Sequence, residues 1–321
     1  MALTTYAAEL NKSAQKYRKQ LLMLPGIGIS ELIPYMTGFP GVTYKQTVGS
    51  LLANSQLRPY DGKNNEVDTT ELHERTLETF LGSVVELFDP NALRQTIYAQ
   101  LLANGNTVKD TEFAKAQLMA IMDSVLSYLG PAAWSATRNA AGTTTLELFN
   151  GFDTITATEV TATTLSSALG NYGLLTEAID SSNAYDQLQA IYRAAAPELQ
   201  RKKVNVFCDP DIVHAYNDDY LTTVGAVPYN NQFERTFIHG TGNRWELVPM
   251  VGKDGSDYIH CTTKRNMLYG YGNGVENEKI EVRRGDNAFK LQFILAMFFG
   301  VQFATLNKKE MYVAQLASAS S

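Results

Sequence analysis

The sequence predicts a mixed fold in which a compact α/β unit is inserted into a more extended, strand-rich one. Three patterns predict it: a long alternating strand near the C-terminal end, a polar-centred hairpin near the N-terminal end, and a strand–helix alternation between them. Over 289–303 every odd position is apolar (Phe289, Leu291, Phe293, Leu295, Met297, Phe299, Val301, Phe303), the period-2 signature of a sheet face on a core. The even positions mix Lys290, Gln292 and Gln302 with Ile294, Ala296 and Phe298. That second face is expected to be half covered, with a helix packed on it.

Ahead of the hairpin, residues 24–42 carry three prolines and four glycines, which disfavour a continuous helix and read as an arm. The preceding segment bears Lys12, Lys16, Arg18 and Lys19 and reads as solvated or docked on a partner. Residues 42–88 are strand-like at both ends and polar in the middle, with Pro59, Asp61 and Gly62 marking the reversal. A hairpin this long and this poor in bulky apolar residues is marginal alone and should rest on something, such as another chain.

Asp89 and Pro90 open a short helix through Leu102. A longer helix follows over 110–129, with Phe113, Leu118, Ile121, Met122, Val125 and Leu129 near helical spacing and Gly130–Pro131 as its stop. The threonine-rich stretch 143–164 suits short strands. Another helix starts at Asn183, with Asp186 completing a near capping box, and ends near Pro197. Residues 204–208 form a strand, after which Asp209–Pro210 starts one more helix. The α/β unit spans about 166–274, and the long strand then returns the chain to the first unit.

With 321 residues and 45% hydrophobic content the chain can bury a sizeable core. Its net charge of -6 and pI near 5.3 argue against a main task of gripping phosphate backbones. Two isolated cysteines, Cys208 and Cys261, form neither a disulfide framework nor a metal motif and fit a reducing compartment. No secretory leader is apparent at the start, and the uncharged run 291–307 alternates rather than staying apolar, so no membrane span is expected.

The residues offer no catalytic, cofactor or metal site by motif. His73, His214, His239 and His260 lack metal-ligand spacing and read as surface or capping histidines. The glycines at 26 and 28 and at 270, 272 and 274 read as turns, because neither set lies between a strand and a helix. Lys264, Arg265, Tyr269 and Tyr271 could stack single-stranded nucleic acid, but around a tight turn tyrosines more commonly cover backbone. Arg283 and Arg284 read as a solvated edge or a cross-interface pair. Asp209, Asp211 and His214 are the one place in the α/β unit where a hydrolase or transferase site is conceivable, against helix capping by Asp209.

Taken in order, the parts resemble the major capsid proteins of tailed bacteriophages, of the Hong Kong 97 type, across nearly the whole chain. The sharpest likeness is the closing run: Lys264, Asn266, Leu268 and Gly270 in a turn, and Gly300, Val301 and Gln302 in a strand. The resemblance implies an α+β fold with an N-terminal arm (1–41), an extended loop (42–88), a peripheral domain (89–165 and 275–321) with a spine helix at 110–129, and an axial domain (166–274). It implies self-assembly into the pentamers and hexamers of an icosahedral head enclosing double-stranded DNA, with no enzymatic activity, cofactor or metal. Further partners would be separate scaffolding, portal and decoration proteins, and the location would be the virion, assembled in the host cytoplasm. The family's type member joins a loop lysine to a neighbour's asparagine. Lys45 and Lys63 lie in the candidate loop, but no acceptor asparagine or assisting carboxylate is matched, so that chemistry is not carried over. The alternatives are an encapsulin-type nanocompartment shell, a tail or portal component, and the hydrolase or transferase reading.

Overall fold

The computed structural model describes residues 32–53, 70–88, 124–125, 127–225, 237–272, 278–284 and 290–317. The basic segment before residue 32, the hairpin tip, the helix expected at 89–102 and most of that expected at 110–129 lie outside the described residues.

The strands are β1 (Thr37–Pro40), β2 (Lys45–Ala53), β3 (Thr70–Glu78), β4 (Phe80–Phe88), β5 (Tyr172–Leu174), β6 (Val204–Cys208), β7 (Trp245–Pro249), β8 (Tyr258–Thr262), β9 (Met267–Tyr271), β10 (Lys279–Arg284), β11 (Leu291–Phe303) and β12 (Met311–Gln315). The helices are α1 (127–135), α2 (Phe152–Thr161), α3 (Ala184–Ala194) and α4 (Pro210–Val224).

Strand β11 organises the first sheet. It pairs antiparallel with β4 from Leu291↔Phe88 to Phe299↔Phe80 along one edge. The other edge takes β10 at first and β9 from Phe299 onward, and β1 adds to β9 in parallel. Phe293, Leu295, Phe299 and Phe303 are buried on the odd face, as their period-2 spacing requires. On the even face Phe298 is buried too, and among the described residues no helix provides its cover. Tyr44, just before β2, sets its ring edge-on to Phe298 at 5.2 Å. Helix α2 instead lies on the odd side, with Phe152 against Phe303 at 4.8 Å.

The second sheet runs β5-β12-β8-β6-β7 and alternates strictly. Val204, Val206, Trp245, Ile259, Cys261 and Tyr312 point to α3 and α4, while Phe207, Val248, Met311 and Val313 point to the core shared with β11 and Trp134. The two sheets therefore meet over one apolar layer, into which Trp134 projects between Phe152 and Phe207, 5.3 Å from each.

Several expectations need correcting. The segment 42–88 is not one hairpin. β2 and β3 pair over nine positions as a two-stranded ribbon, whereas β4 leaves it and joins β11. Residues 267–271, expected in the inserted unit, lie in the β11 sheet, and β12, expected with the peripheral part, completes the second sheet between β5 and β8. Gly130–Pro131 does not stop the helix, which runs on to residue 135, where Ala136 N–H still reaches the Ala132 carbonyl. Close packing explains the pair: a Cβ at Gly252 would lie 2.8 Å from Pro131 Cα, so the turn at Val251–Lys253 sits directly on the helix.

The threonine-rich stretch is helical. Phe152, Ile155 and Thr156 share one buried face, and the Thr158 and Thr161 hydroxyls donate to the carbonyls four residues back, both at 2.9 Å. Tertiary burial overrides the weak β preference of threonine. At α3 the expected capping box is absent: Asp219 of α4 accepts from Tyr185 N–H at 2.7 Å and caps α3 from outside.

Candidate assembly site at the root of the ribbon

Strands β3 and β4 are almost continuous, broken only at Thr79, where the chain passes from the ribbon into the β11 sheet. Thr79 is fully buried; its N–H donates to the Tyr44 carbonyl at 2.7 Å and its hydroxyl to the Val42 carbonyl at 3.1 Å. Tyr44 takes a left-handed conformation, φ 67°, which for a bulky residue is strained and persists only when its surroundings fix it. Here the carbonyl meets Thr79 on one side and the ring meets Phe298 on the other.

The ribbon root crosses the β11 sheet over two glycines. Gly270 of β9 and Gly300 of β11 are opposite one another in register. A Cβ at Gly270 would lie 2.6 Å from Thr79 Cγ2, and one at Gly300 would overlap the Glu78 carbonyl oxygen. These are the glycines of the two short patterns singled out in the sequence. Their physical role is to let a second backbone lie against the sheet.

The rest of both patterns meets at the same place. Gln302 pairs with Leu268, and its amide donates to the Thr76 carbonyl at 3.1 Å. Asn266 is buried, donates to Thr262 Oγ1 at 2.9 Å and accepts from Thr305 N–H at 2.8 Å, so it fastens the β8–β9 turn to the end of β11. Lys264 and Arg265 are exposed on that turn.

Arg75 of β3 clasps the ribbon to the body. One guanidinium nitrogen reaches Glu159 of α2 at 2.6 Å and Gln302 at 3.0 Å. Clefts of about 470 and 330 Å³ flank this clasp, the first between Glu74 and Leu306, the second between Glu78 and Asn150. Sequence reasoning missed Arg75 and Thr79, since neither shows a spacing or composition signal. Only the break in alternation between 78 and 80 hints at the kink.

Beyond the root, the even face of the β11 sheet is open among the described residues. Leu81, Val85 and Leu87 of β4 are 40%, 56% and 54% exposed, opposite Phe298, Ile294 and Gln292. Arg283 is exposed on the same face and donates to Gln292 at 2.8 Å. Leu72 on the ribbon is exposed as well.

The conceivable catalytic group does not assemble. Asp209 caps α4, with one oxygen accepting from Asp211 N–H at 3.0 Å and the other from Gly255 N–H at 2.9 Å, while His214 faces solvent. Tyr269 lies over Gly38 of β1, where a Cβ would come within 2.7 Å of its ring, so it covers backbone. His239 is fixed by Tyr185 at 2.9 Å. His260, expected at the surface, is instead fully buried on the inner face of β8. Both cysteines are buried on the helix-covered face of the second sheet; burial pushes the Cys208 thiol up to about 12 and raises Cys261 well above its ordinary range. Among the described residues, no helix is long and apolar enough to cross a membrane.

No protein-family model matches the chain, and no curated protein does. Solved structures do match. One is a chain of the satellite phage P4 procapsid with its size-determination (Sid) protein, similar at 10% identity with a TM-score of 0.59, over 93% of this chain and 99% of that one. Another is from Mycobacterium phage Adephagia, at 10% identity and a TM-score of 0.50, over 91% of each chain. At these identities the likeness is one of fold: the chain has the Hong Kong 97-type fold of tailed-phage capsid proteins.

Proposed function

We propose that this chain is the major capsid protein of a tailed bacteriophage, and that it assembles into the pentamers and hexamers of an icosahedral shell around double-stranded DNA. The observation that carries the reading is full-length correspondence with a procapsid chain: the match covers 93% of this chain and 99% of that one, leaving no sizeable part for another task. In this reading β2–β3 is the extended loop, the β11 sheet with α1 the peripheral domain, and the second sheet with α3 and α4 the axial domain. The exposed apolar side chains of β3 and β4 support it, because a shell subunit completes its burial against neighbours through contacts that are individually moderate. The acidic balance supports it too, since a wall of like charge lets packaged DNA slide. Scaffolding, portal and decoration proteins would be separate partners, and assembly would precede incorporation into the virion in the host cytoplasm.

Size-exclusion chromatography with negative-stain microscopy of the expressed protein tests the proposal. Capsomers, sheets or closed shells are expected. A persistent monomer in the presence of a cognate scaffold would overturn it. Shells filled with a cargo protein and lacking nucleic acid, in the native host, would assign the chain to a nanocompartment instead.

A further inference from the structure

The core between the two sheets contains a charged cluster that the assembly reading does not use. Lys253, in the turn before β8, is fully buried, with its ammonium 4.4 Å from the centre of the Trp134 ring. Its Nζ lies 2.8 Å from Asp153 Oδ1, 3.1 Å from Ser256 Oγ and 3.2 Å from His260 Nδ1. Ser256 Oγ donates to Asp153 Oδ2 at 2.7 Å, and Thr156 Oγ1 is 2.8 Å from His260 Nε2. Lys253 and Asp153 are 100 residues apart, and the Asp153 side chain is 15% exposed.

We propose that Lys253 and Asp153 condense to an amide, covalently joining α2 to the turn that precedes β8. The site has the parts such a step needs. An ion pair taken out of water loses hydration that its mutual attraction only partly restores, which favours passing the proton from ammonium to carboxylate along the 2.8 Å hydrogen bond. Burial likewise lowers the proton affinity of Lys253, against the opposing pull of Asp153. The neutral amine then presents its lone pair to the Asp153 carboxyl carbon, held there as an effectively unimolecular reactant. Ser256 donates to the oxygen on which negative charge develops.

The bookkeeping of atoms is complete. The Nζ–Cγ bond forms; Nζ sheds a proton to His260 Nδ1, which returns it to the departing Oδ1 hydroxyl. That oxygen leaves as water and the carbon–oxygen bond breaks. Nothing is oxidised or reduced, and no co-reactant enters. Burial pushes the His260 proton affinity well below the ordinary histidine range, so the ring starts neutral and gives the proton back readily. The partly exposed edge of Asp153 is the way out for the water, from a site otherwise walled by Trp134, Phe152 and Phe303. The link would close a long loop in the unfolded chain, as a disulfide does, and stabilise the junction of the two sheets.

Intact-mass spectrometry of the purified, denatured full-length chain tests this. The expected mass is one water below that of the sequence, and digestion should release a branched peptide joining the segments around Asp153 and Lys253. The Lys253→Met chain should show the full mass, folded or not, because the measurement is made on denatured protein. Full mass in the unsubstituted chain overturns the proposal. So does a one-water deficit without the branched peptide, which would mark a cyclised aspartate, or a deficit that survives Lys253→Met.

Discussion

Among the described residues the sheet β5-β12-β8-β6-β7 and the sheet built on β11 have five strands each, yet the first is covered on both faces and the second on one. In the first, β6, β7, β8 and β12 alternate between residues facing α3 and α4 and residues facing the Trp134 layer, so most of its apolar surface is buried within the chain. In the second, the odd face of β11 is closed, while the even face beyond Phe298 leaves Leu81, Val85 and Leu87 in solvent. Full burial of such side chains is worth about 1.5–3 kcal/mol each, stabilisation that a neighbouring subunit would supply in the proposed shell. In the proposed reading the contrast separates two tasks: one half holds the subunit together, and the other, with the ribbon rooted beside it, is completed by neighbouring subunits.

The closed half should be the sensitive one. Trp134→Ala removes the ring that packs on Phe152, Phe207 and His260 at once, and is expected to lower subunit stability by about 3–5 kcal/mol in denaturant melts. A loss of under about 1 kcal/mol would mean that the inter-sheet layer does not hold the halves together.

The buried His260 adds a pH dependence of predictable sign. Its folded-state proton affinity is depressed chiefly by burial, so below its ordinary value of 6.5 the unfolded chain binds a proton that the folded chain refuses. Unfolding free energy should therefore fall as pH drops below 6.5, by up to about 1.4 kcal/mol per pH unit from this group, until the folded-state value is reached. A His260→Gln chain should lose that contribution to the slope.

Asp209→Ala should cost about 1 kcal/mol through the lost cap of α4, with no effect on assembly once folded. The open half should respond in reverse: Val85→Ser or Leu87→Ser should change subunit stability by no more than about 0.5 kcal/mol but reduce assembly in light-scattering assays. If these substitutions destabilise the isolated subunit as much as Trp134→Ala does, the even face is not open.

What the sequence made legible was whatever repeats with a fixed period or punctuates the chain. β11, β6 and the Asp209–Pro210 start of α4 follow from alternation and capping alone. Gly270 and Gly300 were visible as members of short patterns, but their purpose, the approach of Glu78 and Thr79, depends on a segment far earlier in the chain. Helix α2 was hidden because threonine prefers strands locally, and its burial against β11 is a tertiary effect. Lys253 and His260 carried no signal at all: a lysine beside a glycine and a histidine within a strand look exposed until the fold closes over them. Arg75 escaped notice for the same reason, its partners Glu159 and Gln302 being distant in sequence.

Hydrogen exchange compared between the unassembled subunit and its assemblies tests the division most directly. The account predicts that protection rises on assembly in β2, β3 and β4, while β6, β8 and α3 are already protected in the subunit and change little. Equal gains across both sheets, or gains confined to α3 and α4, would contradict it.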